Sequence, residues 1–349
     1  MATPILVTGA AGFIGFHVAR RLLAEGRTVV GVDSFSSYYD PRLKEARFAR
    51  LSEFPGFTGL RFDLADALAT RQLFDRHGFR TALHLAAQPG VRYALTNPEA
   101  YASANLTAFV NILEGCRHTR TEHLVYASSS SVYGANTKLP FSEADPVDQP
   151  ISLYAATKRS NELMAHAYAH LFGLPCTGLR FFTVYGPWGR PDMAIYRFTD
   201  RIARGEPIEV AAGGEVRRDF TYVDDAVEAV IRVLAGSPPA PARQEMRGPD
   251  GSPVAPIRLL NIGGDRPSDL NRVVALIESE LGRRAVRLTT ALPPGDVVST
   301  SSDASSFAAL YGRVSPTSLE QGIASFVAWY RSYHEPGHIR ASGSDPVPD

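Results

Sequence analysis

Tyr154 and Lys158 lie four residues apart in Tyr154-Ala155-Ala156-Thr157-Lys158, downstream of a serine run from Ser128 to Ser131. On a helix that spacing puts both side chains on one face. A free tyrosine titrates at about 10 and is a poor base at neutral pH. An adjacent ammonium stabilises the phenolate and lowers that value towards the working range. A serine hydroxyl can then share the proton of a substrate alcohol. These residue types suit removal of a proton from a carbinol while a hydride leaves its carbon. Lys158 stands out further because the only lysines are Lys44, Lys138 and Lys158, the remaining cations being arginines. Lysine is a compact, tunable proton partner, whereas arginine is a rigid fork that stays charged. The Tyr/Lys spacing alone also fits a solvated helix face, so the surrounding elements must decide.

The first half alternates short apolar strands with helical patterns, which predicts a parallel sheet covered on both faces. Strands are expected at Ile5–Thr8, Thr28–Val32, Thr58–Phe62, Ala82–Ala86, His123–Ala127 and Cys176–Phe181. Helices are expected at Phe13–Glu25, Asn97–Arg117 and Ser152–Phe172. The last two are apolar around much of their circumference, which suits burial against a second subunit. After Phe182 the texture changes: Gly186-Pro187-Trp188-Gly189-Arg190-Pro191 reads as a rigid loop. A helix near Met193–Arg204, strands near Ile208–Val210 and Leu259–Ile262, a helix Ser268–Leu281 capped by Ser268 and a last helix Ser318–Tyr333 follow. The stretch Gly236–Pro256 reads as an exposed loop, and residues from His334 onward as a loose tail.

The expected fold is a Rossmann-type doubly wound α/β sheet with a smaller C-terminal α/β domain. The expected division is 1–182 for a dinucleotide domain, 183–333 for a substrate domain and 334–349 for a flexible tail. Segments near 221–235 and 258–264 are expected to pack back on the first domain. A chain of 349 residues, 44% of them hydrophobic, can bury cores of that size. Basic and acidic residues balance at 36 each, so global charge gives no reason to expect nucleic acid or an acidic membrane as partner. Cys116 and Cys176 lack metal or disulfide-framework spacing, which predicts buried thiols in a reducing cytosol. With no leader read before Ile5 and no spanning apolar run, the expectation is a cytoplasmic protein.

Gly9-Ala10-Ala11-Gly12-Phe13-Ile14-Gly15 joins the first strand to the first helix. Glycines there let the backbone turn tightly and approach a pyrophosphate, whose charge faces the helix N-terminus. Asp33, at the end of the second strand, suits the adenosine ribose and repels a 2′-phosphate, which favours NAD over NADP. Asp63 and Leu64 end the next strand near the adenine position. Leu85, Ala86 and Ala87 end the fourth, where small residues leave room for the cofactor. The Asp224-Asp225 pair lacks the other oxygen ligands of a metal site and reads as helix caps.

With both sites placed, residues 4–330 resemble the extended short-chain dehydrogenase/reductase family. Within it the likeness is to nucleotide-sugar epimerases, and among these to the UDP-glucuronate 4-epimerases. It is carried by Tyr38-Tyr39-Asp40 with Leu43-Lys44, Gln88–Tyr93, Tyr126–Gly134, Ser152–Lys158, Leu179–Met193 and Arg218-Asp219-Phe220-Thr221-Tyr222-Val223-Asp224-Asp225. The resemblance implies that Tyr154 takes the 4-hydroxyl proton with Ser129 bridging, while hydride passes from C4 to bound NAD. The 4-keto sugar turns over and is reduced on its other face. Lys158 would hold the nicotinamide ribose and lower the tyrosine pKa. Position in the matched segments makes Thr183, Ser130 and Arg190 candidates for a substrate carboxylate, Arg218 for the diphosphate and Arg92 for the UDP-sugar more generally. The family also implies a homodimer.

Sister reactions remain open at this stage. No acid follows the serine run, which argues against 4,6-dehydration and less firmly against decarboxylation of a UDP-glucuronate. A UDP-glucose/UDP-galactose 4-epimerase is the nearest alternative. The chain departs from the family pattern at Pro89, in Pro293–Asp296, in Ser301-Ser302-Asp303 and in the Gly236–Pro256 stretch.

Overall fold

The computed structural model describes residues 3–238, 255–293 and 295–334. The expected tail beyond His334 and most of the Gly236–Pro256 stretch lie outside these residues. Twelve strands are described: β1 (Ile5–Thr8), β2 (Val29–Asp33), β3 (Phe57–Arg61), β4 (Thr81–His84), β5 (His123–Ser129), β6 (Cys176–Phe181), β7 (Thr183–Tyr185), β8 (Ile208–Ala211), β9 (Arg217–Tyr222), β10 (Ile257–Ile262), β11 (Pro267–Asp269) and β12 (Arg287–Thr290). The helices are α1 (Phe13–Ala24), α2 (Pro41–Ser52), α3 (Ala67–His77), α4 (Pro98–Tyr101), α5 (Ala108–Thr119), α6 (Leu153–Phe172), α7 (Ala194–Arg204), α8 (Val223–Leu234), α9 (Leu270–Leu281), α10 (Ser305–Tyr311) and α11 (Leu319–His334).

Seven strands form one sheet in the order β10-β6-β5-β4-β1-β2-β3, and every pairing in it is parallel. Strands buried on both faces need continuous apolar runs, and β1 and β2 have them, all nine residues being buried. One apolar layer joins α1, α2 and α8 to the sheet through Phe16, Leu22, Phe48, Val227 and Val230. The opposite layer uses Leu73, Phe74, Phe109, Ile112 and Ala165 of α3, α5 and α6. The order reverses between β1 and β4, which leaves a crevice at the carboxyl ends of the strands.

A separate apolar cluster forms among α7, α9, α11 and short strands, around Ile195, Ile202, Val273, Ile277, Phe326 and Val327. Beside it lie a small sheet β11-β9-β7 and a pair β12-β8.

Three sequence expectations change in detail. The single helix expected over Asn97–Arg117 is instead α4, a π-helical turn Ala102–Thr107 and α5. The cause is Asn105: its side chain bonds Gln88 N–H (2.8 Å), Gln88 C=O (3.1 Å) and Thr157 Oγ1 (3.0 Å), and the helix widens to aim it there. The cap of α9 is Asp269 rather than Ser268: its carboxylate accepts from Arg272 N–H at 2.8 Å, while Ser268 and Asp269 both pair with β9 through β11. Asp224 and Asp225 sit inside the first turn of α8 behind Tyr222; Asp225 binds Thr317 N–H (2.7 Å) and hydroxyl (2.8 Å) rather than capping.

Candidate active site

The glycine turn owes its shape to two positions. Gly9 has φ +68°, a left-handed conformation that glycine alone adopts freely. A Cβ on Gly15 would stand 2.1 Å from the Gly9 carbonyl oxygen, so α1 can start close to β1 only with glycine there. Gly12 is the N-cap residue of α1, Phe13 is buried and Ile14 is half-buried. Asp33 ends β2 with one oxygen on Ala11 N–H (3.1 Å) and the other on Phe35 N–H (2.8 Å). Its carboxylate is therefore held at the edge of the turn. Leu85 and Ala86 donate their N–H groups to Thr8 Oγ1 at 3.1 Å, which draws the end of β4 against β1; Ala87 follows them, half-buried. Asp63 is exposed and accepts from Ala65 N–H, while Leu64 beside it is buried and binds Asn111 through its carbonyl. A strand–glycine turn–helix with a fixed carboxylate one strand away fits a dinucleotide's pyrophosphate and ribose.

Helix α6 begins where the Ser152 hydroxyl accepts from Ala155 N–H (3.1 Å). This puts Tyr154 in the first turn and Lys158 one turn on, facing β5. Lys158 is buried, and its Nζ donates to Ala127 C=O at 2.9 Å. Burial lowers its pKa to about 8. The neighbouring His84 is buried and neutral, its pKa pushed down to about 3 by burial and then by Lys158. Ser129 ends β5, and its hydroxyl opposes the rise of the Tyr154 pKa. That rise corrects a sequence expectation: burial, the largest cause, lifts the phenol above its ordinary value, and the counteracting groups are Ser129 and Arg190 rather than Lys158.

Behind the serine run lies a buried ion pair. Arg180 of β6 meets Glu162 of α6 side-on at 2.8 and 3.0 Å, both side chains being 1% exposed. The same carboxylate accepts from Ser128 Oγ at 2.6 Å. Ser128 is thus anchored from behind, while Ser129 and the half-buried Ser130 continue towards the crevice.

Phe13, Thr183 and Arg190 line one cavity of about 30 Å³, which joins the glycine turn to the segment after β6. Arg190 meets Asp192 through two bonds, at 3.0 and 2.8 Å, and Tyr38 donates to the same carboxylate at 3.2 Å. Arg190 is thus half-buried and paired, not a solvent-facing turn residue. Arg218 pairs with Asp296, on neither Asp219 nor Asp224. Asp219 is buried instead among Gly264 N–H, Asp265 N–H and Ser302. Arg92 is exposed, and its charge lowers the pKa of Arg197 after burial has done so.

Sequence reasoning missed Asp192, Asn105, Glu162 and Arg180. Asp192 was findable as the nearest carboxylate to Arg190. The others become partners only through chain folding over many residues. Among the described residues no cluster of metal-ligating side chains occurs and no helix is long and apolar enough to cross a membrane.

These features match those of known proteins. Residues 5–242 match the model of the NAD dependent epimerase/dehydratase family, and the chain belongs to that family. It is similar to a probable UDP-glucuronate 4-epimerase of Rhizobium meliloti (strain 1021), 46% identical over 336 residues, 95% of this chain and 98% of that protein. UDP-glucuronate 4-epimerase 1 of Arabidopsis thaliana is 46% identical over 335 residues, 95% of this chain and 77% of that protein. The crystal structure of the UDP-glucuronic acid 4-epimerase of Bacillus cereus, in complex with UDP-glucuronic acid and NAD, superposes with a TM-score of 0.84. It is 30% identical and covers 95% of this chain and 100% of that one.

Proposed function

We propose that this chain is an isomerase that interconverts UDP-glucuronate and UDP-galacturonate by NAD-dependent 4-epimerisation. What supports the reading is the convergence of Ser129, Tyr154 and Lys158 at the carboxyl end of β5, in a chain similar along nearly its whole length to UDP-glucuronate 4-epimerases. Gly9, Gly12, Phe13, Ile14, Gly15, Asp33, Asp63, Leu64 and Leu85–Ala87 would hold NAD, with Tyr154 and Lys158 beside its nicotinamide ribose. Bound NAD would supply the acceptor for the C4 hydride and return it.

Tyr154 would accept the 4-hydroxyl proton, relayed by Ser129, and give it back after the 4-keto sugar has turned over. In the ligand-free chain burial keeps the phenol protonated. A positive charge arriving beside it is what would bring it into the working range. Ser130, Thr183 and Arg190 would face the sugar carboxylate. Because Arg190 is already paired with Asp192, the sugar would share that guanidinium rather than own it. Arg218 would lie toward the diphosphate, and Arg92 would approach the UDP-sugar.

The division into a dinucleotide domain over 1–182 and a substrate domain over 183–333 belongs to the same proposal, as do a cytoplasmic location and a homodimer. Exposed Val110 on α5 and Leu163, Leu171 and Phe172 on α6 support the dimer as an apolar helical face. The test is a product assay by NMR on purified protein with UDP-glucuronate and no added cofactor, beside a parallel UDP-glucose reaction. UDP-galacturonate without a pentose nucleotide supports the reading. A pentose nucleotide, or turnover of the neutral sugar alone, overturns it.

A further inference from the structure

Arg47 of α2 is 0% exposed, yet among the described residues no carboxylate lies within ion-pair distance of it. Its guanidinium is spent on four oxygens. Nη1 donates to Ala11 C=O and to the Tyr39 hydroxyl, both at 2.9 Å. Nη2 donates to Trp188 C=O at 2.6 Å and to Gly189 C=O at 3.3 Å. Nε has no partner among the described residues. A buried guanidinium left without a counter-charge and with an idle donor is costly, so its retention calls for a reason beyond stability.

The oxygens it holds come from two places. Ala11 is the crest of the glycine turn, and its N–H is fixed from the other side by Asp33. Trp188 and Gly189 immediately precede Arg190 in the segment that lines the cavity with Thr183. Trp188 has φ +61°, a left-handed conformation that strains a bulky residue and persists only where neighbours over-determine it. Arg47 grips its carbonyl while Arg50 lies over its ring at 4.9 Å. The planar fork of arginine can span both segments rigidly, which a flexible ammonium cannot.

We infer that Arg47 is a positioning residue that couples the dinucleotide turn to the nucleotide-sugar segment, so that occupancy of one site tightens the other. The inference rests on the cofactor and substrate reading above. Coupling of this kind is a ratio, and linkage requires it to be reciprocal. A ligand that pulls the 188–190 segment into place fixes Ala11 through the guanidinium. Release of the dinucleotide from that turn then slows.

The experiment follows NAD loss from purified holoenzyme, diluted into an NAD-destroying enzyme, with and without saturating UDP. Retained nucleotide is read by chromatography over time. In the wild-type protein UDP should slow the loss by at least about fivefold, the lower end of ordinary coupling. In Arg47→Met the ratio of the two rates should fall to about one, whatever the absolute rates become. Arg47→Lys should restore part of the ratio by reaching one carbonyl. A wild-type ratio of one, or an Arg47→Met protein with faster loss but an unchanged ratio, overturns the inference. If Arg47→Met does not fold, Arg47→Lys decides: a reduced ratio supports coupling and an unchanged one refutes it. Equilibrium dialysis with UDP separates the two failures. Absence of UDP binding in the wild type removes the substrate reading itself, whereas binding with an unchanged variant ratio removes only the role of Arg47.

Discussion

Replacing Lys158 by methionine should make the protein more stable while abolishing its chemistry. Lys158 is 3% exposed, and its one hydrogen bond among the described residues runs to Ala127 C=O. Its pKa is lowered from 10.5 to about 8, and burial is the cause. That gap corresponds to about 3 kcal/mol spent at pH 7 on keeping the ammonium charged inside the fold. Methionine has similar length and no charge. Loss of the bond to Ala127 subtracts about 1–2 kcal/mol. The net expectation for Lys158→Met at pH 7 is a gain of about 1–2 kcal/mol. The pH dependence gives the sharper check. The folded chain loses this proton first, so between pH 8 and 10.5 the unfolded chain binds more protons and wild-type stability rises with pH through that window. The methionine variant lacks this contribution, and its advantage should vanish or reverse by pH 10. Urea denaturation of nucleotide-stripped proteins at pH 7 and pH 10, followed by tryptophan fluorescence, measures the difference of differences. A variant less stable than wild type at pH 7, or a gap that stays constant between the two pH values, would refute the assignment of a burial-strained ammonium. Turnover in the variant should fall by about a hundredfold or more if the charge assists Tyr154.

Three further outcomes are expected. Tyr154→Phe should lower kcat by about 10²–10⁴ with NAD still bound, and a wild-type rate would end its role as the proton carrier. Glu162→Ala should cost about 3–5 kcal/mol in denaturant unfolding, since it strands Arg180 and frees Ser128; a loss under about 1 kcal/mol would show that the pair is relieved by water. Asp33→Ala should shift the ratio of NADP to NAD affinity upward by about tenfold, read by fluorescence titration, and an unshifted ratio would mean that the carboxylate does not meet the ribose.

The parts legible in the sequence were those set by local chemistry. Apolar runs marked the buried strands, the glycine turn marked its strand–helix junction, and the helical pattern over Ser152–Phe172 marked the helix that carries Tyr154 and Lys158. Helices α2 and α3 escaped the periodicity reading because their surfaces are mostly polar. Their caps, Asp40 before Pro41 and Asp66 bonding Leu68 and Ala69 N–H, were the available signals. The π-helical turn was invisible, because it exists to aim Asn105 at Gln88, 17 residues away, and at Thr157, 52 residues away. The direction of the Tyr154 pKa was misjudged for a related reason. Spacing shows that a cation stands one turn away, whereas the burial that raises the phenol is a property of the packed molecule.

The place of β10 at the border of the large sheet carries a consequence for biosynthesis. Its six residues pair in parallel with Cys176–Phe181, but they follow them only after the whole of α7, β8, β9 and α8. A chain emerging from the ribosome can therefore complete six strands and still present β6 as a bare border. At about 5–20 residues per second the interval from Phe181 to Ile257 lasts roughly 4–15 s. Throughout it, a strand that is wholly buried in the finished molecule offers its unpaired amides to any passing chain. Ribosome-arrested chains ending within that interval should be cut near β6 by a protease that spares the released protein. Order of synthesis, rather than the finished fold, is thus where this molecule is most exposed to misassembly.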